Sequence, residues 1–185
     1  MLVGIDYGSK LAGTTVIAYT QENEVHFMSS VKKQDADQMI INFLNQNKTE
    51  MVGIDAPLSL PKVYSGVGED YFYRACDKAL KAMSPMFLGG LTARAMKLNA
   101  QVELDLKEVY PGALARGLDL KEFDYKGKNP NYQMMLHRLN WDYVIKESPN
   151  SSHQMDAILA LFIVWKIKKD QAQQIGDADE GLIYY

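Results

Sequence analysis

The sequence has one cysteine, Cys76, among 185 residues. An internal disulfide is therefore excluded, and so is a zinc site built from clustered thiolates. A reducing compartment, the cytoplasm, is the expected setting. Long hydrophobic runs are missing as well. No apolar stretch reaches the roughly 20 residues that span a bilayer, so no membrane partner is expected. The N-terminus lacks the basic region and small-residue cleavage site of a secretory leader, and Leu2–Ile5 reads as a strand of the mature fold. Positive charge is not in excess. With 20 Lys and Arg against 23 Asp and Glu, the net charge is −3. That excludes a broad basic face for long-range capture of nucleic acid and leaves room only for a local groove. No internal repeat, low-complexity tract or interdomain linker interrupts the chain.

What remains is an ordinary soluble composition, 47% hydrophobic and 23% charged, long enough for a single domain with its own core over residues 1–185. Leu2–Asp6 is a nearly continuous apolar run that ends on a carboxylate. Ala12–Tyr19 and Val25–Val31 read as the next two strands, joined by short polar turns in an antiparallel meander. Asp35–Asn47 carries Met39, Ile40, Phe43 and Leu44 at helical spacing, with Asp35 as N-cap. Met51–Asp55 repeats the opening pattern V-G-I-D and is stopped by Pro57 and Pro61. Residues 61–101 form a helical insertion, with helices over Asp70–Met83 and Thr92–Ala100 and a loop over Ser84–Gly90. Val102–Tyr110 is strand-like, Lys121–Asn131 a surface loop, and Tyr132–Trp141 helical. Gln154–Lys169 is the clearest helix, capped by Ser152. Gly181–Tyr185 reads as a last short strand. A meander, a helix and then a strand parallel to the first give an α/β domain with a mixed sheet.

Four acids fall at pointed places: Asp6 and Asp55 at strand ends, Glu108 in E-V-Y-P, and Asp156 in the first turn of the last long helix. If the two V-G-I-D strands are adjacent and parallel, Asp6 and Asp55 lie side by side at the sheet edge where ligands bind in α/β proteins. Clustered carboxylates repel, and a hard divalent cation resolves the repulsion. Two Mg²⁺ or Mn²⁺ ions roughly 3.5–4 Å apart activate water and stabilise a leaving oxygen in phosphodiester cleavage. The plainer alternatives are a turn former or helix cap for each acid alone, and a favourable helix-dipole position for Asp156. Asp177 and Glu180 read as solvated.

V-G-I-D-Y-G-S-K followed by A-G-T-T-V-I-A-Y resembles the first hairpin of the RNase H-like fold. Together with I-D-A-P-L-S-L-P, R-A-C-D (Arg74–Asp77), E-V-Y-P, H-Q-M-D-A-I-L-A-L and I-G-D-A-D-E-G-L-I, it resembles the family known as domain of unknown function 429, whose members are taken to be RNase H-like nucleases. The resemblance covers nearly the whole chain. It implies a five-stranded mixed sheet in the order 3-2-1-4-5 with helices on both faces. It also implies Asp6, Asp55, Glu108 and Asp156 as metal ligands.

The expected function is thus a Mg²⁺- or Mn²⁺-dependent nuclease that hydrolyses phosphodiester bonds of DNA or RNA. His153, three residues before Asp156, would shuttle protons or else cap its helix. Lys10, Arg74 and Lys78 are the candidate phosphate-binding residues, with Lys81, Arg94 and Lys97 nearby. Their plainer alternative is a solvated helix face, and R-A-C-D reads equally as an internal Arg74–Asp77 pair. Tyr71, Phe72 and Tyr73 would stack on bases or pack locally. Met83, Met86 and Met96 read as core filler, and Cys76 as a small packing residue. A homodimer would suit a nuclease acting on two strands. Two rival classes stand beside this one. An ATP-binding or phosphotransfer protein would use the D-x-G turn with Thr14 and Thr15 as a phosphate loop, and a non-catalytic binding module would keep the fold without binding metal.

Overall fold

The computed structural model describes residues 1–185, and the chain is a mixed α/β protein. Leu2–Asp6 (β1) is buried at every position, as its unbroken apolar run requires of a strand covered on both faces. Val16–Gln21 (β2) and Glu24–Ser29 (β3) return from it as an antiparallel meander. Ala36–Gln46 (α1) starts at Asp35, whose carboxylate accepts from the amides of Asp37 and Gln38. Met51–Asp55 (β4) runs parallel to β1, and Leu106–Glu108 (β5) parallel to β4, giving the order β3-β2-β1-β4-β5. Gln174–Asp177 (β6) and Gly181–Tyr184 (β7) form a separate antiparallel ribbon. The chain therefore has seven strands in two sheets, and the sequence pattern shows only the second strand of the ribbon. No helix is long and apolar enough to cross a membrane.

Side chains alternate across each strand, and the alternation sorts the core into two layers. Val3, Ile5, Val52 and Ile54 face α1 and Gly90–Gln101 (α4), where Ile40, Phe43, Leu44, Ala95 and Leu98 complete a buried cluster. Leu2, Gly4 and Asp6, with Gly53 and Asp55, face the other way, onto Ser152–Lys168 (α7) and Pro111–Gly117 (α5). Helix α7 is buried without a break from Met155 to Trp165, because the sheet lies on one side and α5 and the segment 120–145 on the other. It starts two residues earlier than expected, with Ser151 rather than Ser152 as the cap. Gly4 lets it sit unusually close to β1, since a methyl group there would lie 2.1 Å from the backbone nitrogen of Leu161.

The insertion departs most from expectation. The anticipated helix over Asp70–Met83 shrinks to Ala75–Leu80 (α2). Asp70 turns the chain before it by accepting from the amides of Phe72 and Tyr73, and Lys81 ends it at a φ of 52°. The expected loop over Ser84–Gly90 contains a short helix, Pro85–Leu88 (α3), because Ser84 caps it and Pro85 occupies its first position. Strand β5 covers only part of Val102–Tyr110, since residues 102–105 form the bend that leads out of α4. The expected loop Lys121–Asn131 opens within a 3₁₀ turn at Leu120–Phe123, and Tyr132–His137 (α6) follows it.

Candidate functional site

Asp6 and Asp55 are register partners at the C-terminal ends of two adjacent parallel strands. Both lie at positions of the pleat that face α7, and Asp156 comes from the first turns of that helix. The three aspartates line one cavity of about 610 Å³, together with His153 and Lys126. Asp6 and Asp156 are almost wholly buried. The strand register and the close seat of α7 on Gly4 therefore decide where all three carboxylates stand.

Their partners differ. The Nδ1 of His153 lies 2.8 Å from Oδ2 of Asp6, a hydrogen bond between the two groups. Tyr125 donates to Asp156 at 2.5 Å, and Nζ of Lys126 stands 3.0 Å from the other oxygen of Asp156. No hydrogen-bond donor meets Asp55. Burial raises Asp6 to about 8, the Asp156 charge adds to the effect, and Lys126 opposes it. Burial and then the charges of Asp6 and Asp156 push Asp55 well above the usual carboxylate range. For Lys126, burial acts downward but is outweighed by Asp156, Asp55 and Asp6, and the ammonium is held above its ordinary value. Burial and Asp156 likewise raise Tyr125, which stays a donor. One lysine does not balance three carboxylates, so burial and mutual repulsion favour the protonated forms of Asp6 and Asp55.

An all-oxygen donor set of this charge suits a hard divalent cation such as Mg²⁺ or Mn²⁺. As placed, no three His, Cys, Asp or Glu side chains converge tightly enough to bind an ion. The present partners account for that, since Asp6 is turned to His153 and Asp156 to Tyr125 and Lys126. Asp6, Asp55 and Asp156 are the residues that would hold a metal.

Glu108, expected among the ligands, belongs to a different centre. It pairs in register with Ile54, one residue short of Asp55, and so points to the opposite face of the sheet. There both its oxygens meet Arg74, at 2.6 and 2.8 Å, and the amide of Leu58 donates to Oε2. Arg74, expected to hold phosphate, is wholly buried. Its remaining donors go to both oxygens of Asp77, and Nη1 also reaches Ser59. Of the two readings of R-A-C-D, the internal pair is the one present. Glu180 is not solvated either, for it accepts from the amides of Lys62 and Ala75 and ties the ribbon to this node.

The other cations are also engaged away from the aspartates. Lys10 pairs with Asp35 and Lys78 with Asp70, and neither lines the cavity. Arg94 pairs with Asp37 and donates to the carbonyl of Gly8, which holds the turn after β1 in shape. In that turn the amides of Gly8 and Ser9 already donate to Thr15 and Thr14, so they offer no free cradle for a nucleotide phosphate. Burial raises the thiol of Cys76 to about 11, which leaves it inert. Lys126 and Tyr125 have no counterpart among the sequence candidates. They lie in a polar segment whose only signal is its length, and the fold alone brings them to Asp156.

No family model, no curated protein and no solved structure matches the chain.

Proposed function

We propose that the chain is a divalent-metal-dependent nuclease of the RNase H-like type, hydrolysing phosphodiester bonds of nucleic acid. One observation carries the proposal: Asp6 and Asp55 stand in register on neighbouring parallel strands, on the face that α7 covers, and α7 delivers Asp156 to the same cavity. The order β3-β2-β1-β4-β5, with β2 antiparallel to β1 and β4 and β5 parallel to it, supports the RNase H-like assignment.

Asp6, Asp55 and Asp156 would hold Mg²⁺ or Mn²⁺, as one ion or a pair. The bound metal supplies charge compensation, an activated water and stabilisation of the leaving oxygen. The chain's own residues do the rest. His153 is partly exposed at the cavity and hydrogen-bonded to Asp6, so it can pass a proton to or from solvent. Lys126, which now pairs with Asp156, would be free to pair with a phosphate oxygen of the substrate if a metal took its place there. Glu108 takes no part, because its charge is consumed by Arg74.

Titration of Mn²⁺ into the wild type and into Asp6→Asn and Asp55→Asn by calorimetry tests the proposal, with cleavage of labelled single strands, duplexes and hybrids measured alongside. Saturable binding and cleavage that both variants lose, with their folds intact, are the expected results. A wild type that binds no Mn²⁺, with or without an oligonucleotide, would sink it.

A further inference from the structure

A second cavity, of about 280 Å³, lies against the aspartate cavity and shares Asp55 and Lys126 with it. Its walls are otherwise mainly apolar: Pro57, Leu88, Leu91, Val109 and Tyr110, with Met83 at the rim. The acids that reach it from the far side, Asp77 and Glu108, are both bound to Arg74. What opens beside the unpartnered Asp55 is therefore an apolar slot, slightly smaller than the roughly 300–1,000 Å³ of drug-sized pockets and suited to one flat heterocycle.

The same insertion leaves large apolar side chains in solvent. Tyr64 and Tyr71 are 50% and 59% exposed and meet edge to face at 6.0 Å. Phe72 and Phe87 are 52% and 64% exposed and lie 5.4 Å apart. Met83, read from the sequence as core filler, is 61% exposed. Exposed apolar groups gathered in one segment mark a binding surface. The net charge of −3 gives a polyanion little general attraction, so affinity for a nucleic acid has to come from its bases. A duplex keeps its bases stacked inside and offers neither the slot nor the aromatics anything to hold.

We infer that the insertion is a single-strand platform. The slot takes the unpaired nucleobase next to the phosphate that a metal at Asp55 would hold, and the exposed aromatics stack on bases further along. The substrate class is single-stranded or locally unpaired nucleic acid. This rests on the nuclease reading, which supplies the phosphate at Asp55.

The test uses fluorescence anisotropy in Ca²⁺ with three short labelled probes: a DNA single strand, the same strand made abasic, and its duplex. Mn²⁺ calorimetry runs beside it. The wild type is expected to bind the base-bearing strand about tenfold or more tighter than the abasic strand or the duplex. Leu91→Trp, which fills the slot, should erase most of that difference and still bind Mn²⁺. The surface pair Phe72→Ala with Phe87→Ala serves if Leu91→Trp does not fold. It should weaken only the base-bearing strand. Equal binding of base-bearing and abasic strands, with Mn²⁺ binding intact, overturns the platform alone. A single-strand preference without Mn²⁺ binding overturns the nuclease reading and leaves a platform that holds bases without the phosphate at Asp55. Binding of no probe overturns both and assigns the aromatics to a protein partner.

Discussion

The chain contains two groups of carboxylates, on opposite faces of one sheet, and they are balanced differently. Around Arg74, two carboxylates share a guanidinium that satisfies both with charged hydrogen bonds, and backbone amides of Leu58 and Arg74 add to them. That group has no donor left, since every N–H of the Arg74 guanidinium is taken. Around Asp6, Asp55 and Asp156, three carboxylates share one lysine, one tyrosine and one histidine, and Asp55 has no partner. The first group is complete as it stands, and its work is to hold the insertion and the ribbon against the sheet. The second carries charge that only a proton or an added cation offsets. Burial alone does not mark a carboxylate as functional. Burial without enough partners does.

The largest effect is expected at the complete group. Arg74→Ala leaves Asp77 and Glu108 buried without their counterion, and should lower unfolding stability by about 3–5 kcal/mol in chemical denaturation. A variant as stable as the wild type would remove the distinction between the groups. Next comes Gly4→Ala. A methyl 2.1 Å from the Leu161 nitrogen has to push α7 off β1, at a cost of about 1–3 kcal/mol or more. It should also weaken Mn²⁺ binding by moving Asp156, whereas an exposed substitution of equal thermal cost should not.

The incomplete group should show itself in pH dependence. Asp6 stands at about 8 when folded, chiefly through burial, and near the ordinary 3.9 or so when unfolded. Between those values the folded state binds more protons than the unfolded one, so stability falls as pH rises through this window. Asp55 is shifted the same way. The metal-free protein should therefore melt several degrees lower at pH 8 than at pH 5, and Asp6→Asn should flatten the profile. A melting temperature that rises over this range would contradict the assignment.

Lys126→Ala removes the cation that competes for Asp156, and should tighten Mn²⁺ binding several-fold in calorimetry while slowing any cleavage. Unchanged metal affinity would show that Lys126 does not occupy the cation's place. Lys78→Ala should have the smallest effect, with no measurable change in melting temperature, metal affinity or cleavage, because its pair with Asp70 is solvated and remote from the cavity.

Much of the aspartate centre is legible in the sequence. The repeated V-G-I-D segments imply two similar strands, and similar strands laid parallel put Asp6 beside Asp55. Asp156 is legible because a helix with a clear start fixes where its first turns point. Glu108 is not, since a strand of three residues covered on both faces gives no alternation from which to read its side of the sheet. The basic stripe of Arg74, Lys78 and Lys81 misleads for a local reason. Helical spacing is meaningful only while the helix lasts, and α2 stops at Leu80. The partners that matter most, Lys126 for Asp156 and Glu180 for the insertion, are joined over long sequence separations that no local pattern records.

Glu180 also bears on the order in which the molecule is assembled. Its contacts reach back to Ser59, Lys62 and Ala75, across separations of 121, 118 and 105 residues. Closing loops of that length is slow, and during synthesis it waits until Glu180 has left the ribosome. The central sheet can pair β1 with β2 long before that, and Arg74 can reach Glu108, while Ser59, Lys62 and Ala75 still lack their contacts to Glu180. The side of the slot that Ile183 lines is therefore among the last parts of the protein to form.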